Sequence, residues 1–154
     1  MARRSLVLGA VLFLAGCGQP PPVGIDLLEA KKIADQTALD YFDANAKDLY
    51  PRLDARFHSQ VHDPADLARV IRHIRFLYGK PVAYDYKAAT RGQHEGPDGI
   101  TPYVDLWYVL RTDKYPKGDH YLKIEVVQAQ GATFPDLGGF GVLDFPDGLP
   151  AYLQ

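Results

Sequence analysis

The apolar residues of this chain change period once, and that change limits the possible folds more than any other feature. Up to Tyr78 they recur at helical spacing, and from Val82 they alternate every second residue, with Gly79-Lys80-Pro81 at the junction. Helices that all precede strands cannot build the alternating units of a parallel sheet. The expectation is an α+β fold, in which N-terminal helices pack on a curved four-stranded antiparallel sheet.

The helices announce their ends. Asp26, followed three residues later by Glu29, is a capping-box-like start, and Leu27, Ala30, Ala34, Ala38 and Tyr41 then keep helical spacing, which predicts a first helix over residues 26–46. Asp48 to Gln60, with Pro51 in a first turn and Leu53 and Phe57 four apart, reads as a short second helix. Asp63 caps the third and Pro64 takes its first position. Its apolar stripe runs through Leu67, Val70, Ile71, Ile74, Leu77 and Tyr78, and Gly79 stops it, with Arg69, Arg72 and Arg75 on the wetter side.

Val82, Tyr84, Tyr86 and Ala88 predict the first strand. Arg91 to Pro102, rich in Gly and Pro, reads as a loop before a second strand, Tyr103 to Thr112. His120 to Gln128 and Gly139 to Phe145 supply the third and fourth. The first helix is then expected to lie across the apolar face of the sheet, with Asp85, Asp105 and Glu125 on the opposite face.

With this order of elements and the Gly-Lys-Pro hinge at 79–81, residues 26–145 are similar to the cystatin-like, nuclear-transport-factor-two-like superfamily. The resemblance implies a cone with a pocket between the long helix and the sheet. Members of the superfamily range from cyclases and isomerases to binding and assembly modules, so the fold does not choose an activity. The isomerases place a carboxylate base on the pocket face. The strand acids here alternate onto the other face, which weighs against that chemistry.

The N-terminus has a separate meaning. Arg3 and Arg4, an apolar run from Leu6 to Leu14 too short to span a bilayer, and Leu14-Ala15-Gly16-Cys17 resemble the signal peptide and lipobox of bacterial lipoproteins. That resemblance implies lipidation of Cys17 and anchorage to a membrane through the acyl chains. Gly18 follows where an aspartate marks inner-membrane retention in some bacteria, which favours the outer membrane, facing the periplasm. The expected organisation is a signal peptide over 1–16, a lipidated cysteine and Pro-rich tether over 17–24, and one globular domain over 25–154. The sole cysteine is at the lipobox, so no internal disulfide is available. Of 17 basic side chains, Arg3 and Arg4 leave with the signal peptide, and the remaining 15 face 19 acidic ones. That balance of −4 offers no basic field for nucleic acid.

Candidate residues fall into four groups. Tyr41, Tyr86, Tyr108 and His120 are expected to face the helices, where hydroxyls and an imidazole can orient a small apolar ligand; as core residues they would simply fill the space. Tyr103, Trp107 and Tyr121 share the other face with Asp105, Arg111, Lys123 and Glu125, a mixture that fits a homodimer or an envelope protein, or a solvated sheet with ion pairs such as Asp105 with Lys123. His58 and His62, four apart beside Asp63, have the spacing of zinc ligands, but Asp63 already caps a helix and no third ligand is identifiable. His94-Glu95 falls in the expected loop, which suits recognition better than catalysis. No cofactor motif is present. The reading is a lipid-anchored binding or accessory module; the alternative is a cyclase- or isomerase-type enzyme using His120 and tyrosine hydroxyls.

Overall fold

The computed structural model describes residues 24–97, 99–118, 120–145 and 150–153, so the lipobox, Cys17 and most of the expected tether lie outside the described residues. Three helices, α1 (Leu27–Asp43), α2 (Ala46–Leu49) and α3 (Pro64–Tyr78), precede four strands, β1 (Pro81–Gly96), β2 (Gly99–Thr112), β3 (His120–Val127) and β4 (Asp136–Asp144). The strands form one curved, unclosed antiparallel sheet in the order β1-β2-β3-β4. The fold is α+β, as the change of period requires. No described helix is long and apolar enough to cross a membrane.

α1 starts where Asp26 accepts hydrogen bonds from the backbone N–H of Leu28, at 2.8 Å, and of Glu29, at 3.0 Å. It ends at Asp43, earlier than the sequence implies, because Ala44 turns into the left-handed region at φ 60°. Ala30, Ala34 and Ala38 are fully buried, so the helix backbone lies close on the sheet. Arg75 of α3 donates to the carbonyls of Tyr41, at 2.7 Å, and Phe42. Expected on the wet face, Arg75 instead satisfies the open carbonyl end of α1, where a cation is also favoured by the helix dipole.

The expected second helix is broken into α2 and two single turns, Tyr50–Arg52 and Phe57–Ser59. A parallel bridge from Leu53 to Leu137 lies between the two turns, and the Asp54 N–H donates to the Leu137 carbonyl at 2.7 Å. Pairing with the sheet interrupts the helical path. In α3 the cap, Pro64 and Gly79 are where the sequence places them, but the apolar stripe divides. Leu67, Ile71, Ile74 and Tyr78 turn inward, whereas Val70 and Leu77 are exposed, because at 100° per residue they sit about 60–80° round the helix from Leu67, on the flank of the inward stripe.

The segment expected to be a loop, Arg91 to Pro102, is paired strand: β1 runs against β2 as far as Gly96 opposite Gly99. Gly92 permits this, since a side chain there would meet the Tyr103 ring lying across it. A bulge between Tyr86 and Ala88 then reverses the alternation of β1. Tyr84 and Tyr86 face inward opposite Leu110 and Tyr108, and beyond the bulge Ala89 and Arg91 take that face opposite Leu106 and Val104.

Candidate functional site

The inner face of the sheet and the helices packed on it hold the expected pocket residues in three different settings. Tyr41 is buried against Phe140, ring centroids 5.8 Å apart, and its hydroxyl has no partner among the described residues. Burial pushes this phenol up to about 12, against the opposing pull of Arg75. It fills the core beneath the C-terminal end of α1.

Tyr108 belongs to a more open group. Its buried ring meets Tyr84 and Tyr86 edge-on at 5.7 and 5.8 Å, and its hydroxyl donates to Asp35 Oδ1 of α1 at 2.8 Å. Asp35 also pairs with Lys31 at 2.7 Å, and the Lys31 ammonium stands 5.2 Å from the centre of the Tyr86 ring. Burial raises the Tyr108 phenol well above its usual range, and the hydrogen bond to Asp35 raises it further. Tyr84 is raised by burial and then by the Asp35 charge. Both hydroxyls therefore stay protonated, and that of Tyr108 donates to Asp35. The Asp35 carboxylate and Lys31 remain partly exposed, and Tyr86 is 43% exposed. Together they form a polar, aromatic rim between α1 and β1.

Tyr84, Asp35 and Lys31 were not singled out by sequence reasoning. The only signal in the sequence is positional: Lys31 and Asp35 each follow a buried alanine and stand four apart, on the shoulder of the buried stripe.

His120 is the third setting. It is 7% exposed, with Tyr78 and Tyr115 edge-on at 5.0 and 4.2 Å, and neither ring nitrogen has a partner among the described residues. A buried imidazole without hydrogen bonds is rare, and water or ligand contact is among the usual reasons.

The outer face is covered where an exposed contact surface was expected. Trp107 is 4% exposed; its indole N–H donates to Thr90 Oγ1 at 3.1 Å, and Phe145, just beyond β4, lies over it at 6.0 Å and over Tyr121 at 5.5 Å. Tyr103 is stacked on His94 at 4.4 Å. Asp105 and Glu125 do lie on this face, directly opposite one another, but Asp105 is buried there. Burial raises its carboxyl, Lys123 at 3.3 Å opposes that shift, and Glu125 adds to it. His94 Nε2 lies 3.1 Å from Glu125 Oε1. His94 and Glu95, neighbours on a strand, project to opposite faces, so they do not act as a pair.

His58, in the single turn Phe57–Ser59, packs at a tilt against Tyr50 with ring centroids 4.6 Å apart, and His62 lies beyond that turn, so the two do not share a helix face. Among the described residues no group of three or more His, Cys, Asp and Glu side chains is placed to hold a metal ion. Comparison with protein-family models, with curated proteins and with solved structures finds no match.

Proposed function

We infer that the protein is a lipid-anchored binding module of the bacterial cell envelope, held at the membrane through Cys17, whose ligand is a small, largely apolar molecule bound along the rim between α1 and β1. The observation that carries the ligand reading is the partly exposed Asp35 carboxylate, which gathers the Tyr108 hydroxyl and the Lys31 ammonium beside the open ring of Tyr86. A mostly aromatic surface with a few convergent polar groups is what small-molecule sites offer. Tyr86 supplies a flat apolar wall, Asp35 an acceptor, and Lys31 a donor that can swing away because its stem is flexible.

Native mass spectrometry of the purified protein tests this reading. A retained small-molecule mass that disappears in Tyr86→Ala, with unfolding unchanged because that ring is half outside the core, supports it. An unliganded wild type that also fails to take up apolar small molecules from a mixed panel counts against it.

The second reading, a cyclase- or isomerase-type enzyme with His120 as base, is favoured by the two unpartnered imidazole nitrogens. Turnover retained in His120→Ala removes that base. A homodimer or envelope partner on the outer sheet face has less support, because Phe145 of the same chain already covers Trp107.

A further inference from the structure

The exposed side of α3 is unlike an ordinary solvated helix face. Phe76 is 75% exposed, and Leu77 and Val70 are exposed beside it, while Leu67, Ile71 and Ile74 serve the core from the other side. At 100° per residue, Arg69, Val70, Arg72, His73, Phe76 and Leu77 share one arc, and Lys80, two residues past the end of the helix, is exposed as well.

The β2–β3 loop adds a cation. Lys114 Nζ donates to the Phe76 carbonyl at 2.5 Å and stands 5.4 Å from the centre of the Phe76 ring. The exposed part of α3 and its flanking segments thus carry four cations, Arg69, Arg72, Lys80 and Lys114, together with three exposed apolar side chains. The carboxylates nearby are Asp66, which pairs with Arg69, and Asp113, which accepts from the Lys80 backbone N–H at 2.7 Å. In a chain with more acidic than basic residues, this arc has the opposite sign.

We propose that this face of α3, with Lys80 and Lys114, docks on the surface of a bilayer containing anionic phospholipid. Phe76, Leu77 and Val70 enter the boundary between headgroups and acyl chains, and the arginines and lysines lie against phosphate oxygens, their aliphatic stems following the apolar side chains inward. Charge complementarity selects this occupant: a second copy of the same face would set four cations against four. The inference is carried by α3 and the β2–β3 loop, and does not depend on the ligand rim or on acylation of Cys17, although acylation would keep the face close to its membrane.

The test uses the full chain carrying Leu77→Cys labelled with bimane, in vesicles of phosphatidylcholine alone or with one part in three of phosphatidylglycerol. The mass after labelling reports Cys17 separately, since an acylated cysteine takes no label; where a second label appears, Cys17→Ser is added. The expected result is a blue shift with quenching by spin-labelled lipid in the anionic vesicles, lost in Arg72→Glu/Lys80→Glu while thermal unfolding is unchanged. The same emission without quenching in both vesicle types overturns the proposal, as does quenching indifferent to phosphatidylglycerol and to charge reversal. A shift with polyglutamate but not with vesicles also overturns it, and assigns the face to an acidic protein.

Discussion

The two faces of the sheet bury polar side chains in different ways. On the outer face, Asp105 and Glu125 stand opposite one another, an arrangement that like charges disfavour, yet Lys123 pairs with Asp105, His94 lies within hydrogen-bond distance of Glu125, and Phe145 closes the aromatic half of the surface. On the inner face, Tyr108 hands its hydroxyl to a carboxylate that still reaches solvent, and His120 keeps two buried nitrogens without a partner among the described residues. Asp105 Oδ1 accepts no hydrogen bond among the described residues but has the Lys123 ammonium at 3.3 Å, whereas the His120 nitrogens have neither, and a buried group without any partner costs stability for as long as it persists. The contrast separates polar residues that hold the fold from those that burden it, and the second kind is where function is expected.

The largest expected effect breaks the comparison on the outer side. Trp107→Ala removes a buried indole from beneath Phe145 and is expected to cost about 3–5 kcal/mol, read as a lower midpoint in urea unfolding. A cost below about 1 kcal/mol would mean that this face is not a second core.

The inner face should respond in the opposite direction. His120→Leu replaces an unsatisfied imidazole between Tyr78 and Tyr115 with an apolar side chain and is expected to raise stability by about 1–2 kcal/mol in the same experiment. A loss instead would show that the imidazole has a partner in solution, water included, and that the two faces are alike.

The smallest effect is a pH dependence. Asp105 has its folded value raised above 3.8, so the folded state holds the proton more firmly than the unfolded chain does. Its contribution is therefore greatest below 3.8 and falls as pH rises through the interval up to the folded value. Urea unfolding across that interval should show wild type losing ground to Asp105→Asn as pH increases. The reverse slope would mean that Lys123 outweighs burial, and that the outer network stabilises the fold outright.

Much of the fold was legible because its boundaries rest on local chemistry. Asp26, Asp63, Pro64 and Gly79 act within a turn of themselves, and the helix limits they mark are close to those observed. Features that depend on distant contacts were hidden. The β1–β2 hairpin extends through Gly92, Gln93 and His94, residues with little preference for strands, because β2 pairs with them and Tyr103 lies over Gly92. The bulge after Tyr86 leaves no mark in a sequence that goes on alternating. The phase of α3 was misread because Val70 and Leu77 are apolar without being inside. At the candidate site, Tyr108 and His120 were legible as inward residues by alternation. Asp35 was not, since its role comes from a hydrogen bond to a tyrosine on another element.

The bridge between Leu53 and Leu137 has a consequence for how the chain acquires its structure. Helices and hairpins can form as soon as their own residues are available, but this link joins a turn near the start of the domain to the last of the four strands. Such a contact can close only after β4 has joined the sheet, and the loop it closes carries most of the molecule. Until then the early segments lack this contact, with Leu53 and Leu137 still apart, so the approach to the native state is expected to be late and collective, with the first and last elements locking in one step.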